Sequence, residues 1–396
     1  MRLPLTLAIL AGVVADLLCL TNANALPHRK IAPKVFIISM FEPEAEIWQR
    51  RLPASGMGDL TERKFHLRGL SMLFPYIYCV GDYTICQVVI GEGEINGAAT
   101  MMSLILSNAF DLRKTYFLIS GIAGVNPKHG TLGSVAIVKY AIQVALQYEI
   151  DARSMPEHWE TGYMAFGTKQ PFEYPSILYG TEVFELNESL RDDVFRLAAA
   201  SDLTDSEDTN MYRLKYVPMG VDYLPATEPP RVIKCDVATS DVYYTGTLLS
   251  NAFEKTAAVW TNGSASYCMT AQEDNATLGV LVRSAVEGLV DFGRVIVMRA
   301  GSNFDRPPVG VSTYEHLVLL DQNGFHIAID NLFNTGIEIV KGIIHGWNCK
   351  FGKGVAAANY IGDIFGTLGG VPDFGPGVKA QQVKARRVKR RVAVAS

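Results

Sequence analysis

Five stretches of this 396-residue chain close an apolar run with residue types that hold or transform small polar molecules. Glu42 and Glu44 follow "KVFIISM", Gly91 to Glu94 follow "TICQVVI", and Gly121 to Gly124 lie within "LISGIAGV". Asp241 and Tyr243 follow "DVATS", and Ser302, Asn303 and Asp305 end "RVIVMRAGSNFD". Carboxylates exchange protons, an amide donates and accepts at once, and aromatic rings offer flat apolar faces. Gathered at one rim, such groups form a small-molecule pocket, and the constellation carries more weight than any member. Taken singly, each has a plainer reading. Glu44 serves equally as a first-turn carboxylate, Tyr243 and Tyr244 as strand residues, and Asp305 as a turn cap. "GEGE" has the look of a phosphate-cradling turn, but the third Gly of the G-x-G-x-x-G spacing is replaced by Asn96, no Lys follows, and Glu92 and Glu94 repel phosphate.

The elements that must bring these residues together alternate in type. Strands are expected at 34–40, 83–94, 115–127, 133–146, 232–244 and 294–302, and helices at 42–50, 95–110 and 276–290. This pattern predicts an α/β fold, a central sheet flanked by helices, with the working site at the carboxyl ends of the strands. Residues 151–232 read as an insertion-like region, either a lid or an oligomer contact, in which His158 and Trp159 are candidates to reach the site.

Residues 1–25 have Arg2, an apolar stretch and the small-x-small triplet ending at Ala25, the order of a cleavable secretory signal. No later apolar run reaches spanning length, which argues against a channel of membrane helices. A secreted or wall-associated glycoprotein is expected, with sequons at Asn187, Asn262 and Asn275. Removal of the signal leaves five cysteines, expected mostly as buried thiols, with Cys79 and Cys86 the only close candidate pair. Residues 377–396 form a basic tail with seven Lys and Arg and no acid, so the rest of the chain carries −11 of the −4 total. An acidic body of this kind repels nucleic acid, and the tail is expected to be a disordered extension. The main folded unit is therefore 26–376. No cofactor or metal is expected.

In order and wording, "MFEPEAE", "GEGEINGAA", "SGIAGVNPKHGTLGSVAIV", "ATSDVYY", "TAQEDNATL" and "RAGSNFD" resemble the fungal purine nucleoside permease family over nearly the whole body. That family is similar in turn to the nucleoside phosphorylase and nucleosidase superfamily. The resemblance implies a mixed central β-sheet flanked by helices, nucleoside phosphorylase-like, and a purine nucleoside as ligand. It implies Glu44 as the carboxylate that activates water, Tyr243 as the ring stacked on the purine, and Ala123 and Gly124 as backbone beside the base. Asp241 and Ser302 fall within the same binding motifs. It also leaves a homo-oligomer open, without choosing its size.

Two positions depart from the superfamily pattern. The ribose-binding carboxylate falls on Glu273 or Asp274, with the longer arm favouring Glu273, and neighbours on a helix point about 100° apart. Where many relatives place the acid that protonates the leaving base, this chain has Asn303. An amide cannot deliver a proton but pairs with both N7 and a 6-oxo group, which favours guanosine and inosine. Asp305 is the alternative acid. Phosphorolytic relatives hold phosphate with Arg, and the matching segments here offer Glu, so water is the expected nucleophile. A non-catalytic nucleoside-binding protein that assists transmembrane transport, or a phosphate-dependent phosphorylase, are the alternatives.

Overall fold

The computed structural model describes residues 30–375; the signal-like N-terminus and the basic tail lie outside the described residues. In chain order the strands are β1 (Val35–Ser39), β2 (Arg63–His66), β3 (Tyr76–Cys79), β4 (Ile85–Val89), β5 (Tyr116–Val125), β6 (Val135–Gln143), β7 (Tyr148–Glu149), β8 (Tyr163–Met164), β9 (Val183–Glu185), β10 (Val232–Thr239), β11 (Tyr267–Ala271), β12 (Val295–Phe304) and β13 (Gly362–Asp363). The helices are α1 (Glu42–Arg51), α2 (Glu94–Leu106), α3 (Glu188–Ala198), α4 (Glu207–Arg213), α5 (Leu224–Thr227), α6 (Thr247–Trp260), α7 (Asp274–Val286) and α8 (Phe325–His345).

β1 and β4 are buried at all five of their positions, as continuous apolar runs are when helices cover both faces of a sheet. Eleven strands form one mixed sheet in the order β13-β9-β6-β10-β11-β5-β1-β4-β3-β2, with β12 joined to both β5 and β6. Because β5, β12, β6, β10 and β11 each pair with the next and β11 returns to β5, these five close into a ring. β12 runs parallel to β5, and its register slips between Gly301 and Asn303. Such a bulge bends the strand and re-aims its side chains, here those of Ser302 and Asn303.

The expected strands and helices are all present, each within a few residues of its expected bounds. α8 was not foreseen, and it packs on β12, β5, α1 and α3. Its Gly336 faces Trp48 of α1, where a Cβ would lie 2.5 Å from the indole, so only glycine permits this approach. Burial of each large apolar side chain in these layers contributes about 1.5–3 kcal/mol. Within 151–232, β9 extends the main sheet beside β6, and α3 packs on α8.

The cysteine expectation needs correction. Cys79 and Cys86 are indeed joined, as directly paired residues of β3 and β4, but Cys235 and Cys268 form a second disulfide linking β10 to β11. Thirty-three residues separate that second pair in sequence, so only strand pairing brings it together. Cys349 is free and exposed.

The sequons are not equivalent. Asn187 caps α3, and its amide donates to Gly293 and Val355 carbonyls, while that of Asn275 donates to the Thr181 carbonyl; both residues are buried. Asn262 is exposed in a turn after α6. Passed through a eukaryotic secretory pathway, the chain is expected to carry glycan at Asn262 and not at Asn187 or Asn275. Intact mass before and after deglycosylation of the Asn262→Gln variant checks this; glycan retained on that variant contradicts it.

Candidate functional site

The carboxyl ends of β1, β5, β10, β11 and β12 converge on one cavity of about 450 Å³. This size suits a drug-sized ligand. Met40, Phe41 and Glu44 enter from the β1 turn, Ile122 to Gly124 from β5, Ser240 and Val242 to Thr245 from beyond β10, Thr270 to Glu273 from β11, and Ser302 to Phe304 from β12.

Glu44 is a first-turn residue of α1, but its side chain does not reach solvent; it is 1 % exposed. One carboxylate oxygen accepts the Met40 N–H at 2.7 Å and the other accepts the Ile122 N–H at 2.7 Å. Both atoms are thereby held at the pocket's edge. Burial raises the Glu44 carboxyl pKa to about 8, against the opposing pull of Arg299 and the two backbone donors.

Arg299 lies beneath it, 2 % exposed in the interior of β12. Its guanidinium donates to both oxygens of Asp274, at 3.2 and 2.5 Å, to Glu273 at 3.2 Å and to the Ile122 carbonyl at 3.2 Å. Burial works against its charge, yet Asp274 and Glu273 hold it protonated. Among the described residues lining the cavity, Arg299 is the one Lys or Arg side chain, and it is already committed. Glu44, Glu92, Glu273 and Asp321 line the same space, which makes it hospitable to neutral or developing positive charge and hostile to phosphate.

Glu273 and Asp274 thus take different places. Glu273 lines the cavity, with Oε1 accepting the Gly93 N–H at 3.1 Å; burial raises its pKa. Asp274 is wholly buried behind it and is not part of the lining. The glycine turn therefore cradles a carboxylate of this chain: Gly91 (φ 84°) and Gly93 (φ 87°) adopt left-handed backbone that admits the contact.

Tyr243, Ala123, Gly124, Ser302 and Asn303 all line the cavity. Ser302 Oγ donates to the Ala123 carbonyl at 3.1 Å and lies 2.9 Å from Asn303 Oδ1. Tyr243 is 58 % exposed at the rim, and its hydroxyl meets the Asn303 side chain. The outer wall is apolar, built by Phe41, Leu317, Leu320 and Phe325.

Two expected site residues fall elsewhere. Asp241 is outside the lining because its carboxylate accepts the Glu94 N–H at 2.7 Å and so caps the N-terminus of α2. Asp305 is 1 % exposed and points away from the cavity. Both its oxygens pair with Arg306, and one also accepts the Tyr267 hydroxyl at 2.6 Å. Its carboxylate is thus committed to these partners and is not presented to the cavity. His158 and Trp159 do not line the cavity either.

Several lining residues escaped sequence reasoning. An Arg inside the apolar run "RVIVMRAG" was the available signal for Arg299, since a buried strand carries a charge only when it is paired. Thr270 accepts the Gly124 N–H at 3.0 Å. His316, whose pKa burial lowers, sits at Nε2 3.0 Å from the Phe304 carbonyl and at Nδ1 2.9 Å from the Tyr212 hydroxyl. Nothing in the sequence around His316 announces that position.

Gly121 packs directly against the charged groups of the site. A Cβ there would lie 2.4 Å from the Arg299 guanidinium and 2.9 Å from a Glu44 oxygen, both fixed by their hydrogen bonds. Gly121→Ala is expected to destabilise the fold by about 1–3 kcal/mol through overpacking. Thermal denaturation measures this, and an unchanged midpoint would show that the site yields freely.

Sequence comparison with known proteins points to one family. Residues 32–356 match the family model described as purine nucleoside permease. A purine nucleoside permease of Candida albicans is 43 % identical over 355 residues, covering 88 % of this chain and 84 % of that protein. A probable purine nucleoside permease of Schizosaccharomyces pombe is 36 % identical over 355 residues, covering 87 % and 99 %. Among solved structures, a 5′-methylthioadenosine/S-adenosylhomocysteine nucleosidase from Neisseria meningitidis aligns with a TM-score of 0.47 at 15 % identity, over 79 % of this chain and 99 % of that one.

Proposed function

The chain belongs to the purine nucleoside permease family, and from that premise we propose that its strand-end pocket binds purine nucleosides, 6-oxopurines above all, and hydrolyses their N-ribosidic bond. The observation that carries the reading is the placing of Glu44. Its carboxylate is clamped by two backbone N–H groups beside a second carboxylate, Glu273, in a pocket without an uncommitted Lys or Arg among its described lining.

In this reading Glu273 accepts hydrogen bonds from the ribose hydroxyls, and Tyr243 stacks on the base. Asn303 donates to the 6-oxo group through Nδ2, and its Oδ1 accepts from N7 once the departing base is protonated there. Ionised Glu44 takes a proton from water as the water oxygen bonds to the anomeric carbon. The C1′–N9 bond breaks with its electron pair going to the base, which is reprotonated from solvent. The carboxylates at 44 and 273 stabilise the oxocarbenium character of the sugar at the transition state.

Water is favoured over phosphate by the charge of the lining. Phosphate would meet Glu44, Glu92 and Glu273 with no free cation to hold it. Guanine release from guanosine is expected to be unaffected by removal of phosphate, and absolute phosphate dependence overturns the hydrolytic assignment. Base choice is tested at Asn303. Guanosine is expected to be preferred over adenosine, and Asn303→Asp to shift the preference toward adenosine by about tenfold or more, on the order of 1.4 kcal/mol. An unchanged ratio rejects Asn303 as the selector.

A second reading rests on the same asparagine. With no acid at that place, the pocket binds nucleosides without cleaving them and presents them for uptake. Among the described residues no helix is long and apolar enough to cross a membrane. Extracellular or wall-associated placement is part of the proposal, supported by the signal-like residues 1–25 and the two disulfides.

A further inference from the structure

Behind the base-facing wall lies a chain of buried hydroxyl and charged groups that the hydrolytic scheme does not use. Tyr244 follows Tyr243 in the loop after β10, and its hydroxyl donates to the Tyr267 hydroxyl at 3.2 Å. Tyr267, on β11, donates in turn to Asp305 Oδ2 at 2.6 Å. Arg306 neutralises Asp305 through Nε at 2.8 Å and its terminal nitrogen at 3.0 Å, and reaches Asn251 of α6 at 2.6 Å. The main chain repeats the link. The Asp305 carbonyl accepts from Gly246 N, Thr245 Oγ1 and Ser250 Oγ, at 2.9, 2.9 and 3.0 Å.

We infer that Tyr267 and Asp305 are positioning residues: through Tyr244 they hold the Tyr243 loop against the end of β12, so that the Tyr243 ring and the Asn303 amide grip the base together. The inference rests on the proposed nucleoside site. Tyr243 itself is largely exposed, and its hydroxyl contact with Asn303 fixes the ring only while the loop that carries it is held in place. The next residue, Tyr244, supplies that anchor, being 7 % exposed with its ring against Phe253 at 4.7 Å. Asp305 lies two residues beyond Asn303, so one carboxylate ties both halves of the wall. A buried network of this kind specifies a single arrangement when every member is satisfied.

The test is a double-mutant cycle on the full chain, read as the guanosine Kd by calorimetry. Tyr243→Ala is expected to weaken binding about tenfold, as loss of one stacked ring does. Tyr267→Phe, which breaks the link yet leaves Tyr243 in place, is expected to weaken it several-fold. The double variant is expected to bind no worse than about twofold below Tyr243→Ala, because an unanchored ring has little left to lose. Tyr244→Phe cuts the same link with a smaller change in the core and serves if Tyr267→Phe folds poorly. Additive losses, or an unchanged Kd in both link variants, overturn the inference while leaving the nucleoside site standing. Wild-type protein that binds no guanosine removes the site and the inference together. Asp305→Asn keeps an acceptor for Tyr267, so the pH profile of base release is expected to keep its single rise; an altered profile would place Asp305 in the proton chemistry and overturn the inference.

Discussion

Glu44→Gln is expected to lower the rate of guanine release from guanosine by about 10²–10⁴-fold while leaving the guanosine Kd within about threefold. The amide keeps the size of the carboxylate and one of its acceptors, for Met40 or Ile122, but it cannot take a proton from water. The wild-type rate has its own signature. Glu44 works only when ionised, and burial holds its pKa at about 8. Activity should therefore rise with pH through that value and level off above it. Stability runs the other way. A carboxyl whose pKa is raised on folding stabilises the protein fully below its ordinary 4.5, and that contribution is lost as pH rises through 8. Glu44→Gln should flatten this fall, so that the variant is more stable than wild type at pH 9. Stopped-time chromatography and thermal melts across pH 5–9 check both limbs; a variant that still releases guanine at the wild-type rate removes Glu44 from the chemistry.

Arg299→Ala is expected to produce the largest loss of stability. One buried guanidinium faces Asp274, Glu273 and Glu44, and its removal leaves carboxylates buried without a counter-charge. Breaking such a pair costs about 3–5 kcal/mol. Part of the loss should return in Arg299→Ala/Asp274→Asn, where one orphaned charge has also been removed. Urea denaturation measures each step. Equal stability of Arg299→Ala and wild type contradicts the view that this ion cluster is tightly coupled to the fold.

Much of the scaffold was legible because it obeys local rules. β1, β4, β5, β6, β10 and β12 are apolar runs closed by Gly or polar residues, and the site lies at the carboxyl ends of β1, β5, β10 and β12 as an α/β sheet requires. α8 and α6 lay outside that reading, although α8 is 21 residues long and amphipathic in pattern. The ring closure through β11 and β12 was not legible at all, since a five-residue strand and a slipped register are decided by tertiary pairing. The same limit applied to the cysteines. Cys79 and Cys86 announced themselves by proximity, whereas Cys235 and Cys268 meet only because β10 and β11 are neighbours.

The site followed the same division. Glu44, Tyr243, Ser302 and Asn303, singled out at strand ends, all line the one cavity. Asp305 and Asp241 were misplaced because residue type reveals charge and not partner: Arg306 and Tyr267 occupy the first, and the end of α2 occupies the second. Between Glu273 and Asp274 the sequence offered only an argument from reach. The fold adds Arg299, which draws Asp274 inward and leaves Glu273 on the wall.

Hydrolysis of the N-ribosidic bond is the reaction proposed for this pocket. Its most direct measurement is the product distribution after purified chain is incubated with guanosine in phosphate-free buffer near pH 8. Guanine and ribose are expected in equal amounts over many turnovers, released at least about 10²-fold more slowly by Glu44→Gln. Saturable guanosine binding by the wild type, with the nucleoside recovered whole, would contradict it and leave a binding protein in its place.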